Sequence, residues 1–298
     1  MRKALIDLGT NTFNLIIAEV SGSEIQHIFS TKEGVALGMG GINENRISED
    51  AAERAIACLI RFKEKCEEFQ VEKIIAIGTS AIRDAKNQLE FIQAVKAETE
   101  IEIHVVSGEE EARLIYQGIR LTYPFQEESI VMDIGGGSTE FILANSEGII
   151  DLISLNIGVS RIFQLFSFED PLSKNDISQI ESFLEENSQS FFDQKNCSIL
   201  VGASGSFETF YELAFQKPFP SKTQPFEIPI ESFNREIEKI IESTQAERDQ
   251  NEFIIPIRKK MAPIAAVKTR WVMNKLGVER VFVSPMSLKE GALGVFSF

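Results

Sequence analysis

One motif occurs twice in this chain. Ala4-Leu5-Ile6-Asp7-Leu8-Gly9-Thr10-Asn11-Thr12 is matched by Val131-Met132-Asp133-Ile134-Gly135-Gly136-Gly137-Ser138. Laying Asp7 on Asp133, 126 positions apart, also lays Gly9 on Gly135 and Thr12 on Ser138. Each copy reads as an apolar strand, an acid, a glycine turn and a second apolar strand, Asn14 to Val20 or Glu140 to Ala144. A second pair follows in the same order. Ile74-Ile75-Ala76-Ile77-Gly78-Thr79-Ser80 is matched by Ile199-Leu200-Val201-Gly202-Ala203-Ser204, with Gly78 and Gly202 124 positions apart. Two ordered matches at nearly one offset predict two similar halves, and 298 residues suffice for two domains. The turn-rich Tyr123-Pro124 divides the chain into residues 1–123 and 124–298, with a C-terminal helix expected to pack back on the first half.

The first half reads as three strands, the third over Glu24 to Thr31, and then alternating helices and strands. Ser48 is the N-cap of the first helix, with an apolar stripe of Ala52, Ala55, Ile56, Leu59, Ile60 and Phe62. A strand at Lys73 to Ile77, a helix over Ala85 to Glu98, a strand at Ile101 to Val106 and a helix from Ser107 follow. The second half repeats the hairpin and adds a third strand at Asp151 to Leu155. Helices are expected near Ser160 to Phe166, Lys174 to Phe192, Glu231 to Thr244 and Met261 to Leu276, with an irregular loop around Pro218, Pro220, Pro225 and Pro229. Arg280 to Ser284 reads as a late strand and Ser287 to Phe296 as a last helix. In duplicate, this is the pattern of an α/β chain with two ribonuclease-H-like (actin-like ATPase superfamily) domains facing an interdomain cleft. The two Asp-Gly hairpins then point into the cleft from opposite sides, and the cleft is expected to close on its ligand.

Charge narrows the ligand class. The chain has 45 acidic and 30 basic side chains, a net charge of −15. That field repels nucleic acid and anionic membrane, so neither is an expected partner. It repels a polyanionic substrate too, unless a local cationic site or a divalent metal reverses it. No apolar run approaches the ~20 residues of a membrane span. Asp7 interrupts the N-terminal apolar run, unlike a secretory signal, so a cytoplasmic location is expected. Cys58, Cys66 and Cys197 are odd in number and scattered, as reduced buried thiols are. The only histidines, His27 and His104, sit in strand-like runs. Chemistry built on a histidine nucleophile, a Ser-His pair or a His-rich metal site is therefore not expected.

The paired turns are candidate phosphate cradles. Glycine lets backbone N–H groups converge on one anion, and Thr10, Asn11, Thr12, Ser138 and Thr139 add side-chain donors. A carboxylate beside such a cradle can hold Mg²⁺ bridged to phosphate oxygens. Gly78-Thr79-Ser80-Ala81-Ile82-Arg83 and Gly202-Ala203-Ser204-Gly205-Ser206 each follow a buried strand and open a helix, a favourable place for an anion. Arg83 is expected to neutralise phosphate there. Lys259, Lys260, Lys268 and Arg270 either line the path of a long chain or form a solvated helix face. Ser107 and Glu110 make a capping box, and Glu109, Glu110 and Glu111 suit a helix start. A glutamate near two cradles can also act as a general base on water; spacing leaves open which one.

These segments, with Ser107-Gly108-Glu109-Glu110-Glu111-Ala112-Arg113 and Asp133-Ile134-Gly135-Gly136-Gly137-Ser138-Thr139-Glu140, resemble the Ppx/GppA family of exopolyphosphatases and guanosine pentaphosphate phosphohydrolases. The likeness runs in order from residue 4 to about 212. It implies that Glu111 is the catalytic base and that Asp133 works with the metal and the attacking water. It implies that Asp7, Thr10, Asn11, Thr12, Arg83, Gly135, Gly136, Gly137, Ser138 and Thr139 form the phosphate-binding loops, with Gly205 and Ser206 fitting the same pattern; beside Asp133, Asp7 is expected to hold the metal as well. The implied reaction is Mg²⁺-dependent, processive hydrolysis of the terminal phosphoanhydride of inorganic polyphosphate. Guanosine pentaphosphate 5′-phosphohydrolysis is the alternative, and a catalytically weak polyphosphate-binding sensor a further one. Family members often dimerise, so a homodimer is a possible assembly. The chain resembles the family's short form, without the C-terminal HD-type helical domain. It departs from the pattern at Gly34 and Lys289, where family members often carry arginine.

Overall fold

The computed structural model describes all residues except 22–23, 189, 221–223 and 297–298, and the backbone alone at 20, 21 and 24. The first half holds β1 (Arg2–Leu8), β2 (Thr12–Ser21), β3 (Glu24–Gly34), α1 (Glu49–Glu68), β4 (Lys73–Gly78), α2 (Ser80–Arg83), α3 (Gln88–Thr99), β5 (Ile103–Val105) and α4 (Gly108–Ile119). The second holds β6 (Ser129–Ile134), β7 (Thr139–Asn145), β8 (Gly148–Leu155), α5 (Val159–Leu165), α6 (Lys174–Asn187), β9 (Ile199–Ala203) and α7 (Ser204–Phe215). It continues through β10 (Phe226–Ile228), α8 (Ile230–Glu242), α9 (Gln245–Gln250), α10 (Ala262–Leu276), β11 (Arg280–Val283) and α11 (Leu288–Val295).

The internal repeat is visible in the sheets. One is ordered β3-β2-β1-β4-β5 and the other β8-β7-β6-β9-β11, with β10 added at its edge. In each, an antiparallel hairpin is followed by parallel strands, β1 with β4 and β6 with β9. Asp7 and Asp133 take equivalent places near the ends of β1 and β6, facing Asn14 and Glu140 across their hairpins.

The local chemistry of the chain starts its helices. The Ser48 hydroxyl accepts from the Ala51 N–H to cap α1, and Ser107 and Glu110 close the expected capping box of α4. Ile60, assigned to the apolar stripe of α1, is 39% exposed; Ala51, Ala55, Cys58, Leu59, Phe62 and Cys66 form the buried face. The helix expected from Ala85 begins at Gln88, because the short α2 precedes it. Two elements were not anticipated. β10 is a three-residue strand within the proline-rich loop, and α9 starts at a Thr244–Glu247 capping box.

The two sheets share one core. Leu5, Ile16, Ile75 and Ile77 of the first sheet and Val131, Ile142, Ile199 and Val201 of the second join one apolar cluster. Ala112, Ile115 and Ile119 of α4 and Leu288, Ala292 and Leu293 of α11 belong to the same cluster. The two helices touch backbone to backbone: a Cβ on Gly291 would lie 1.9 Å from the Leu114 carbonyl oxygen, and one on Gly118 1.8 Å from that of Ser287. The C-terminal helix thus packs on α4 of the first half. Domains hinge freely where little apolar surface joins them. Here a large apolar core does, which restrains the cleft closure expected from sequence. No helix among the described residues is long and apolar enough to cross a membrane.

Candidate functional site

The two glycine turns meet at a cleft between the sheets, lined from the first half by residues including Asp7, Thr10, Asn11, Thr12 and Glu111. Asp133, Gly135–Ser138, Glu140 and Ser204–Ser206 line it from the second half. Close approach requires the glycines. A Cβ on Gly136 would lie 2.9 Å from Thr10 Cβ and the Asn11 amide, and one on Gly137 2.5 Å from Ser80 Oγ.

Backbone accounting shows which way the turns face. The Gly135, Gly136 and Gly137 carbonyls accept from the N–H groups of Val159, Ser160 and Gly158 at the start of α5. Arg161 Nε donates a further bond to the Gly137 carbonyl at 2.8 Å. A trans peptide points its C=O and the next N–H in opposite directions. Tying these carbonyls to α5 therefore turns the N–H groups of Gly136, Gly137 and Ser138 away from it, onto the cleft side. The first half uses the same device. The Thr10 carbonyl accepts from Gly38 N–H, and that of Asn11 from Val35 and Ala36 N–H, which turns the N–H groups of Asn11 and Thr12 the same way. The result is a set of converging amides, which suits an anion.

Buried carboxylates gather beside these amides. Glu111 is 7% exposed, Asp133 6% and Glu140 2%. Burial, Glu140 and, more weakly, Asp7 raise the Glu111 pKa well above the usual carboxylate range, against the opposing charge of Arg83. Arg83 Nη1 donates to Glu111 Oε2 at 2.7 Å and so fixes the carboxyl in place. Burial and the neighbouring Asp133 push Glu140 up to about 7. Burial pushes Asp7 up to about 6, although Lys289 and the Asn14 amide favour its ionised form. Burial also raises Asp133, against hydrogen bonds from Ser204 and Ser287. Those hydroxyls donate to Asp133 Oδ2 at 2.7 and 2.9 Å. Ser204 holds this position in the left-handed region, at φ +63°, a strained geometry for a residue with a side chain.

No group of three His, Cys, Asp or Glu among the described residues is placed to hold a metal ion alone. Mg²⁺ does not require one, since it commonly takes one or two carboxylates and completes its shell with water and substrate phosphate. Asp7 and Asp133 lie close enough to influence each other's charge. Their donor chemistry fits such an ion.

Several residues proposed from sequence have other contacts. Arg83 does not line the cleft; it spends its guanidinium on Glu111, the Val106 carbonyl and Asp84. Thr139 is fully buried, and its hydroxyl accepts from Lys268 Nζ at 2.6 Å. Gly205 and Ser206 line the cleft, and Gly205 also seats Arg258, whose Nη2 lies 1.5 Å from where a Cβ would be. Lys268, offered to a long chain or to solvent, is fully buried and donates also to the Ile157 carbonyl. Arg270 pairs with Glu181 and Glu238 away from the cleft. The cations that line it are Lys32, Arg258 and Lys289. Sequence reasoning gave no role to Glu140, Ser287 or Arg161, and placed Ser204 only within a candidate anion loop. Arg161 spans the halves, with Nη2 2.5 Å from Asp84 Oδ2 and Nη1 bonded to the Ile42 carbonyl. The hairpin register that sets Glu140 opposite Asp133 and the Ser287–Glu290 capping box were the readable signals among these.

Comparison with known proteins places this geometry. An exopolyphosphatase from Cytophaga hutchinsonii is 32% identical and superposes with a TM-score of 0.95 over 99% of this chain and 97% of its own. The Aquifex aeolicus PPX-GPPA enzyme is 27% identical, with a TM-score of 0.81 over 99% of both chains. The bifunctional 3-dehydroquinate synthase/phosphatase of Fusobacterium nucleatum is 36% identical over 221 residues, which are 70% of this chain. The match spans about a third of that relative's length, 33%. The Ppx/GppA phosphatase family pattern matches residues 15–295, from β2 into the last helix, and on that match the chain belongs to the Ppx/GppA phosphatase family.

Proposed function

We propose that this chain is an exopolyphosphatase that removes orthophosphate processively from the end of inorganic polyphosphate. The observation that carries the reading is Glu111, a buried carboxyl of raised proton affinity held by Arg83 beside two facing sets of backbone amides. Phosphoryl transfer asks a protein for in-line positioning and charge stabilisation more than for covalent chemistry. The amides of Gly136–Ser138, Asn11 and Thr12 hold the oxygens of the terminal phosphoryl group. Glu111 takes a proton from water as its oxygen bonds to phosphorus, and the bridging P–O bond breaks toward the rest of the chain. Asp7 and Asp133 would hold Mg²⁺, which when bound neutralises phosphoryl charge and orients the substrate. Lys32, Arg258 and Lys289 attract the following phosphates into a protein of net charge −15.

A second reading, guanosine pentaphosphate 5′-phosphohydrolysis, draws support from Val159, Ile257, Met261, Ala262 and Ala265, which give the second half of the cleft an apolar wall beside Arg258. The test is orthophosphate release from long-chain polyphosphate and from guanosine pentaphosphate, each with and without Mg²⁺. Glu111→Gln keeps the shape and removes the base, and a loss in kcat of about 10²- to 10⁴-fold is expected. Release that persists in the variant would sink the assignment of Glu111, and the preferred substrate chooses between the readings.

A further inference from the structure

The three cations of the cleft come from separate parts of the chain: Lys32 from β3, Arg258 from the segment before α10, and Lys289 from α11. One carboxylate sits among them. Glu208 Oε2 lies 3.5 Å from Lys32 Nζ and 3.7 Å from Arg258 Nη2. Arg258 is steadied by the Thr209 hydroxyl, 3.1 Å from Nη1, and by its seat against Gly205. Burial opposes ionisation of Glu208, yet Arg258, Lys32 and Lys289 together hold its pKa below the usual range. Every other cleft carboxylate whose proton affinity departs from the ordinary is shifted upward. Among the cleft carboxylates shifted from the ordinary range, Glu208 is thus the one whose surroundings favour the ionised form. It also touches none of the catalytic carboxyls through a hydrogen bond, so the proposed hydrolysis leaves it without a role.

We propose that Glu208 is a built-in counter-anion that holds the Lys32 and Arg258 cations, with Lys289 nearby, until the phosphates of a chain displace it, making it a specificity-determining residue. This rests on the exopolyphosphatase reading. The consequence depends on charge number. A polyphosphate brings several anionic groups and can satisfy all three cations at once. Orthophosphate brings one group and meets the carboxylate's repulsion with little to offset it. Glu208 thereby weakens every anion, and the single-phosphate product most. Discrimination by repulsion as well as attraction is a general route to specificity.

The test compares the wild type with Glu208→Gln, which keeps the shape and removes the charge. KM for long-chain polyphosphate and the inhibition constant for orthophosphate are measured. The binding of tripolyphosphate and of orthophosphate is then measured by calorimetry in a Glu111→Gln background, where turnover is suppressed. Glu208→Gln is expected to tighten tripolyphosphate by about tenfold, or ~1.4 kcal/mol. Orthophosphate binding and inhibition are expected to gain more, and kcat to change less than KM. Glu208→Asp, which retains the charge, should stay near the wild type. Unchanged or weaker anion binding in a folded Glu208→Gln protein overturns the inference while the hydrolase reading stands. Failure of the wild type to bind or cleave any phosphate chain overturns both.

Discussion

Asp7 offers a quantitative test of the crowded carboxylates, because its consequence appears in stability without any substrate. Its pKa in the folded protein is about 6, against an ordinary 3.8. Each tenfold change in proton affinity is worth ~1.4 kcal/mol, so full shielding would give about 3 kcal/mol. Asp7 keeps partial exposure to cleft water, which reduces the expected effect to about 2 kcal/mol. Below about pH 3 the carboxyl is protonated in both folded and unfolded chains. As pH rises, the unfolded chain releases its proton first, so the folded state binds more protons and loses stability up to about pH 7. Asp7→Asn removes this dependence, and its amide oxygen can still accept from Asn14 Nδ2, now 3.0 Å from the carboxylate. The stability of the variant relative to the wild type should therefore grow by about 2 kcal/mol between pH 4 and pH 8. For a chain of this size that is about 4 °C in Tm. Paired thermal melts at one-unit pH intervals, in chelator to exclude divalent ions, read the difference directly. A constant gap between the two proteins, or one that narrows as pH rises, would refute the reasoning.

Two further perturbations address other parts of the site. Arg83→Gln removes the charge that restrains Glu111, so the acid limb of the pH profile of kcat/KM should move to higher pH; a limb that stays in place contradicts the pairing. Gly158→Ala puts a methyl group 2.2 Å from the Gly136 carbonyl oxygen and should displace the second turn, lowering kcat by about a hundredfold while circular dichroism shows a folded protein.

The parts legible in the sequence were those written by local rules. Glycine at fixed places after an apolar strand announced both turns, and their repetition announced the paired sheets. Ser107 with Glu110 announced α4, whose next residue, Glu111, the family likeness singled out. The parts that were not legible depend on partners distant in the chain. Arg83 reads from sequence as a phosphate ligand; that it also pairs with Glu111, 28 residues on, no local pattern shows. Lys268 looks solvated because a lysine usually is; its burial requires Thr139 and the Ile157 carbonyl, more than 100 residues away, to converge on its ammonium. β10 is too short for a period-two pattern, and α9, though it has the Thr244–Glu247 capping box, is six residues long and lacks an apolar stripe.

The position of α11 also dictates a sequence of events during synthesis. The first sheet presents Leu5, Ile16, Ile75 and Ile77 to a core whose remaining wall includes Leu288, Ala292 and Leu293. Translation proceeds from the N-terminus, so the strands leave the ribosome long before the helix that completes their cover. At ~5–20 residues per second, that interval is on the order of ten seconds or more, during which an apolar surface waits for its last layer. A nascent chain halted before α11 should be a client for chaperones and a target for proteases. Loss of α11 should therefore be felt at the strands of the first sheet.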